Sequence, residues 1–129
     1  MKTPKFDHCV LSVSSWERSD YFYENVLGAE RVPLGNHWAY RFGHEQLHVH
    51  GPGHEGGTNP RIADSWKGGD LCFSWPGSIE DAIAHLALHR IPIEVGPVKR
   101  IGCRGEGRSV YFRDPDGSLL EFISYANDL

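Results

Sequence analysis

The sequence predicts an α+β fold of two tandem βαβββ modules whose strands form a curved mixed sheet around a shared cavity. Three observations predict it. A strand-then-helix pattern opens at Phe6 and opens again at Asp70. Each helix is announced by a serine three residues ahead of an acid, in Ser14-Ser15-Trp16-Glu17 and in Ser78-Ile79-Glu80-Asp81, the spacing at which hydroxyl and carboxylate satisfy each other's unpaired amides. Between the two patterns lies a stretch of turn and breaker residues, Gly51-Pro52-Gly53, Gly56-Gly57, Asn59-Pro60 and Gly68-Gly69, which connects elements without building one.

The elements follow in order. Phe6 to Val13 is rich in β-branched and apolar residues and reads as a strand. Trp16, Ser19, Phe22, Tyr23, Val26 and Leu27 recur at helical spacing, with Gly28 as a left-handed stop. Three short strands come next, Glu30 to Leu34, His37 to Phe42 and Gln46 to His50, the last two joined by Gly43-His44-Glu45. In the second pattern Asp70 to Trp75 is a strand, and a helix places Ile79, Ala82, Ile83, Leu86 and Ala87 on one face. Ile91 to Val95 is a strand with an edge proline, Ser109 to Arg113 another, Asp114-Pro115-Asp116-Gly117 a turn, and Leu119 to Ile123 the closing strand. Module one spans about 4–52, the connector about 51–69 and module two about 70–126, within a single domain of 1–129.

At 129 residues and 40% hydrophobic, the chain can bury one core and is too short for two independent domains. No apolar run approaches the roughly 18 residues of a membrane helix, and the amino terminus carries no export signal. A net charge of −4 argues against a nucleic-acid binder working by bulk charge. Cys9, Cys72 and Cys103 are odd in number and form no CxxC pair, which fits a reducing, cytoplasmic setting.

The eight histidines raise the functional question. His8 and Asp70 fall in the two opening strands, and His48 (or His50) and Glu121 in the two closing strands. Period-two alternation gives His48 and His50 one sheet face and sets His8 opposite Cys9. Sheets curved toward each other would let one donor from each of four strands converge. A mixed N/O set suits Zn²⁺, Fe²⁺, Mn²⁺, Ni²⁺ or Co²⁺ and leaves positions open for water or substrate. Ordinary strand-face polar groups explain the same residues equally well.

Phe6-Asp7-His8, Phe22-Tyr23 and Leu27-Gly28 in the first half, Gly96-Pro97-Val98 in the second, and above all Tyr111-Phe112-Arg113-Asp114-Pro115-Asp116-Gly117-Ser118-Leu119-Leu120-Glu121 carry a resemblance. The chain resembles the vicinal oxygen chelate superfamily, which includes glyoxalase I, bleomycin resistance proteins, fosfomycin-modifying enzymes and extradiol dioxygenases. The resemblance spans nearly everything outside the connector and is nearest to the glyoxalase-like branch. It implies that His8 and Glu121 are metal ligands and that His48, with His50 as the alternative, is the first-half ligand. Asp70 stands where many members have histidine. A carboxylate there makes the set harder, favouring Mn²⁺ or Fe²⁺, or else supplies no ligand. The shared chemistry is chelation of two substrate oxygens. Implied for this chain is a homodimeric lyase of lactoylglutathione lyase type with Glu121 as proton shuttle. The alternatives are a ring-cleaving dioxygenase, a fosfomycin-modifying transferase and a metal-independent sequestering protein.

Around that site, Lys99, Arg100, Arg104 and Arg108 with Gly102, Gly105 and Gly107 read as a mobile basic loop able to clamp an anionic or thiol-conjugate substrate, or as a solvated loop. Ser109 and Tyr111 share a strand face and could orient substrate. Trp38, Tyr40 and Phe42 alternate and could wall an apolar substrate, though core packing explains them as well. His85 and His89 lie one helical turn apart and read as surface residues, as do His37, His44 and His54.

Overall fold

Each half of the chain folds a strand, a helix and three further strands into one four-stranded sheet. The computed structural model describes residues 2–35, 37–53 and 70–126 and divides into two units, Met1–Lys67 and Gly68–Leu129. The connector from 54 to 69, with His54, lies outside the described residues. Among those described, no helix is long and apolar enough to cross a membrane.

In the first unit the elements are β1 (His8–Ser12), α1 (Trp16–Tyr21), β2 (Glu30–Leu34), β3 (His37–Phe42) and β4 (Glu45–His50). The sheet order is β1-β4-β3-β2, with β1 parallel to β4 and the rest antiparallel. The helix begins one residue later than the capping pattern predicts. Ser15 is the N-cap, its hydroxyl accepting the Arg18 amide at 3.2 Å, so Glu17 contributes as a first-turn acid facing the helix dipole. After Tyr21 the coil widens into a π-helical turn, Phe22–Val26. The wider turn rotates less per residue, so Phe22, Tyr23 and Val26 are all buried. Trp38 and Tyr40 face this helix: both donate to Asp20, and Tyr40 stacks on Tyr23 with ring centroids 4.8 Å apart. Trp38 and Tyr40 therefore pack on the helix side of the sheet. His37 is half-buried, stacked on Trp16.

In the second unit the elements are β5 (Asp70–Ser74), α2 (Ile79–Leu88), β6 (Val95–Gly102), β7 (Gly105–Arg113) and β8 (Leu119–Ser124), in the order β5-β8-β7-β6. Ser78 caps α2 as predicted, accepting the Asp81 amide at 3.1 Å. Ile79, Ala82 and Leu86 are buried, as are Val110, Phe112, Leu120 and Phe122 on the strands α2 packs against, whereas Ala87 is exposed. Two expectations change here. Residues 91–94 form no strand; the strand starts at Val95. The expected mobile basic loop is a regular hairpin, Lys99 pairing with Arg108, Arg100 with Gly107 and Gly102 with Gly105. Two of its glycines serve close packing: a Cβ at Gly107 would stand 2.8 Å from the Ser124 carbonyl oxygen, and one at Gly102 would run into the Tyr125 hydroxyl.

Asp114 organises the β7–β8 turn. Its Oδ1 accepts the amides of Asp116 and Ser118, each at 2.9 Å, and its carbonyl accepts the Gly117 amide at 3.0 Å. Gly117 adopts φ +84°, a region L side chains rarely enter. The turn fixes the register in which Tyr111 stands opposite Glu121.

Candidate functional site

The first unit gathers its polar residues on the sheet face turned away from α1. His8 pairs in register with Gln46, Val10 with His48, and Ala39 with His48 from the other side. Trp38 and Tyr40, one step off, fall on the helix face. The His8 and His48 rings stack with centroids 3.8 Å apart and planes 15° from parallel. Asp7 Oδ2 lies 2.7 Å from His8 Nδ1, so a neutral His8 that donates there keeps its lone pair on Nε2. Burial lowers the His48 pKa below the ordinary imidazole value, the neighbouring His8 adds to this, and Asp7 works against it. A neutral imidazole is the form that binds a metal. His50, half-buried, lies two residues further along the same face and is not the ring stacked on His8.

Gln46 and Arg41 belong to this cluster and sequence reasoning missed them. Arg41 donates Nε and Nη2 to Gln46 Oε1 at 3.0 and 2.7 Å, and Gln46 Nε2 lies 3.3 Å from His48 Nε2. The one available signal was the i, i+2 spacing of Gln46 and His48 on a strand.

The second unit carries a corresponding row. Glu121, only 7% exposed, stands between Cys72 on β5 and Tyr111 on β7. Arg100 Nε donates to the Tyr111 hydroxyl at 3.0 Å. Burial raises the Tyr111 pKa, the Arg100 hydrogen bond lowers it, and Glu121 raises it by charge and hydrogen bond. Ser109 lies on the same face, fully buried, with no hydrogen-bond partner for its hydroxyl among the described residues. The other arginines do not join this row. Arg108 alternates to the helix face, where Nη1 meets Glu80 Oε2 at 2.9 Å. Arg104, in the hairpin turn, packs over Tyr125. Asp70 opens β5, and its side chain lies outside what is described.

The two units match step by step. Where β1 meets β4, the first paired residue of the opening strand is His8 and the third step brings in His48. Where β5 meets β8, the same two steps hold Asp70 and Glu121. Among the described residues no group of three or more His, Cys, Asp or Glu side chains is gathered at one place; the first unit provides a pair of imidazoles and the second a buried carboxylate. Imidazole nitrogen and carboxylate oxygen are each donors that first-row divalent ions accept.

The family model for the Glyoxalase/Bleomycin resistance protein/Dioxygenase superfamily matches residues 5–122. A virulence protein of Salmonella typhimurium is 37% identical over 123 residues, covering 94% of this chain and 84% of that protein. The metallothiol transferase FosB of Shouchella clausii is 30% identical over 121 residues, covering 89% and 76%. Among solved structures, an integron cassette protein of V. cholerae superposes with a TM-score of 0.85 at 38% identity, covering 98% of each chain.

Proposed function

The chain belongs to the Glyoxalase/Bleomycin resistance protein/Dioxygenase superfamily, and from that premise we propose a metal-dependent enzyme of the glyoxalase I type, acting in the cytoplasm as a homodimer. The observation that supports this reading best is the matched placement of His48 and Glu121 at the same ladder step of two like sheets. His8, His48 and Glu121 would hold the ion, with Asp70 a fourth donor. When bound, a divalent ion supplies Lewis acidity to two neighbouring oxygens of a small substrate.

The chain's own residues do the rest. Glu121 takes a proton from the hydroxyl-bearing carbon beside a substrate carbonyl and returns it to the carbonyl carbon, while the hydroxyl proton passes to the former carbonyl oxygen, so the net change is an isomerisation. Its burial keeps water from competing for that proton. The Tyr111 hydroxyl, held by Arg100, orients the carboxylate. Ser109 Oγ, buried and in want of a partner, hydrogen-bonds a substrate oxygen, and Arg100 gives the subsite its preference for an anionic or thiol-conjugate substrate.

Thiol transfer to a small anion is the second reading, favoured by the likeness to a metallothiol transferase. Elemental analysis of protein purified without chelator, beside His8→Ala and Glu121→Ala, tests both. Stoichiometric metal lost in each variant is expected. Iron in particular would redirect the assignment to oxygen chemistry, and a metal-free wild type stabilised by an organic ligand would make the protein a sequestering one. With metal present, turnover of a hemithioacetal without loss of thiol supports the lyase, and consumption of thiol supports the transferase.

A further inference from the structure

We propose that Arg41 and Gln46 are positioning residues that lock His48 in the tautomer protonated at Nδ1, so that its Nε2 lone pair faces the sheet surface shared with His8. The case rests on donor and acceptor identity. A guanidinium has five N–H donors and no acceptor. Both contacts from Arg41, Nε at 3.0 Å and Nη2 at 2.7 Å, therefore end on the amide oxygen of Gln46, which removes the ambiguity that usually surrounds an amide's orientation. With the oxygen committed, the Gln46 amide nitrogen is turned toward His48, 3.3 Å from Nε2. That nitrogen can only donate. The imidazole nitrogen opposite it must accept, and the ring proton of a neutral His48 sits on Nδ1.

The sheet makes this arrangement nearly obligatory. Arg41 and Gln46 are register partners across β3 and β4, and His48 follows Gln46 by two residues, on the same face. Gln46 is also the register partner of His8 across β1 and β4, so the side chain that links the arginine to His48 sits at the ladder step that carries His8. Gln46 is half-buried and Arg41 exposed, so the guanidinium can be reached and changed without disturbing the core. The role assigned to the lone pair rests on the reading of His48 as a metal ligand: the amide caps Nε2 in the metal-free chain and gives way to the ion. The tautomer itself is a property of the metal-free chain.

The test is a long-range ¹H–¹⁵N correlation spectrum of the imidazoles in metal-free, ¹⁵N-labelled protein, recorded above the imidazole titration range. The expected pattern for His48 is a proton on Nδ1 and a bare Nε2. Gln46→Glu replaces the donor by an acceptor and is expected to invert the tautomer. Arg41→Ala frees the amide to rotate and is expected to turn the single pattern into a mixture. Finding Nε2 protonated in the wild type overturns the proposal, and so does an unchanged pattern in both folded variants. A wild type with the expected tautomer that takes up no zinc keeps the Arg41–Gln46–His48 assignment and sinks the metal reading instead.

Discussion

Asp20 ties the first unit's helix to its sheet. Its Oδ1 accepts from Trp38 Nε1 at 2.8 Å and from the Tyr40 hydroxyl at 2.6 Å, while its Oδ2 meets Arg31 at 2.9 Å. The Tyr40 hydroxyl also lies 2.7 Å from Ser19 Oγ, and both residues are fully buried. Burial, reinforced by Asp20, raises the Tyr40 pKa far above the ordinary phenol value, so the donor is permanent. Tyr40→Phe keeps the ring but removes the hydroxyl partner of buried Ser19 and one of the donors to Asp20, and it should lower unfolding free energy by about 1–3 kcal/mol, read as a reduced urea midpoint with unchanged slope. The two arginines of the basic hairpin should separate by function. Arg108→Ala breaks an exposed pair with Glu80 and should alter stability by about 1 kcal/mol or less, with KM unmoved. Arg100→Ala removes the donor to Tyr111 and should raise KM for an anionic substrate about tenfold, the scale of one charge-assisted hydrogen bond.

At the scale of elements, the β7–β8 turn carries a sharp test. Both side-chain bonds of Asp114 end on one oxygen, Oδ1. Asp114→Ala should therefore lower stability by about 1–3 kcal/mol, and Asp114→Asn, which keeps an amide oxygen, should recover most of it in the same thermal melts. This turn was legible in the sequence because Asp-Pro-Asp-Gly fixes its own backbone locally. The same holds for Ser78, whose cap needs only the next three residues. Elements set by distant contacts were not legible. The π-helical turn at Phe22–Val26 answers to the burial of three side chains against a sheet that forms later in the chain. β6 was hidden because Gly102, Gly105 and Gly107 read as breakers, whereas closeness to Ile123, Ser124 and Tyr125 is what excludes side chains at Gly102 and Gly107.

For the molecule as a whole, metal removal should be felt in stability as well as in chemistry. An ion at a free concentration 100 times its Kd stabilises by about 2.7 kcal/mol, so dialysis against chelator should lower the melting temperature and added metal should restore it. The donors of the candidate site were legible by residue type and strand position, since alternation assigns faces. Their supports were not: Arg41 and Gln46 become neighbours of His48 only through pairing across β3 and β4, and Arg108 left the site only because alternation on a longer β7 turns it to the helix. The duplicated ladder has one more implication. A donor at the third step lies on strand pairs whose register is held by backbone hydrogen bonds and by apolar residues on the opposite face, so one frame presents histidine in one half and glutamate in the other, and exchanging the two should change the chemistry offered at that step before it changes the strand pairing.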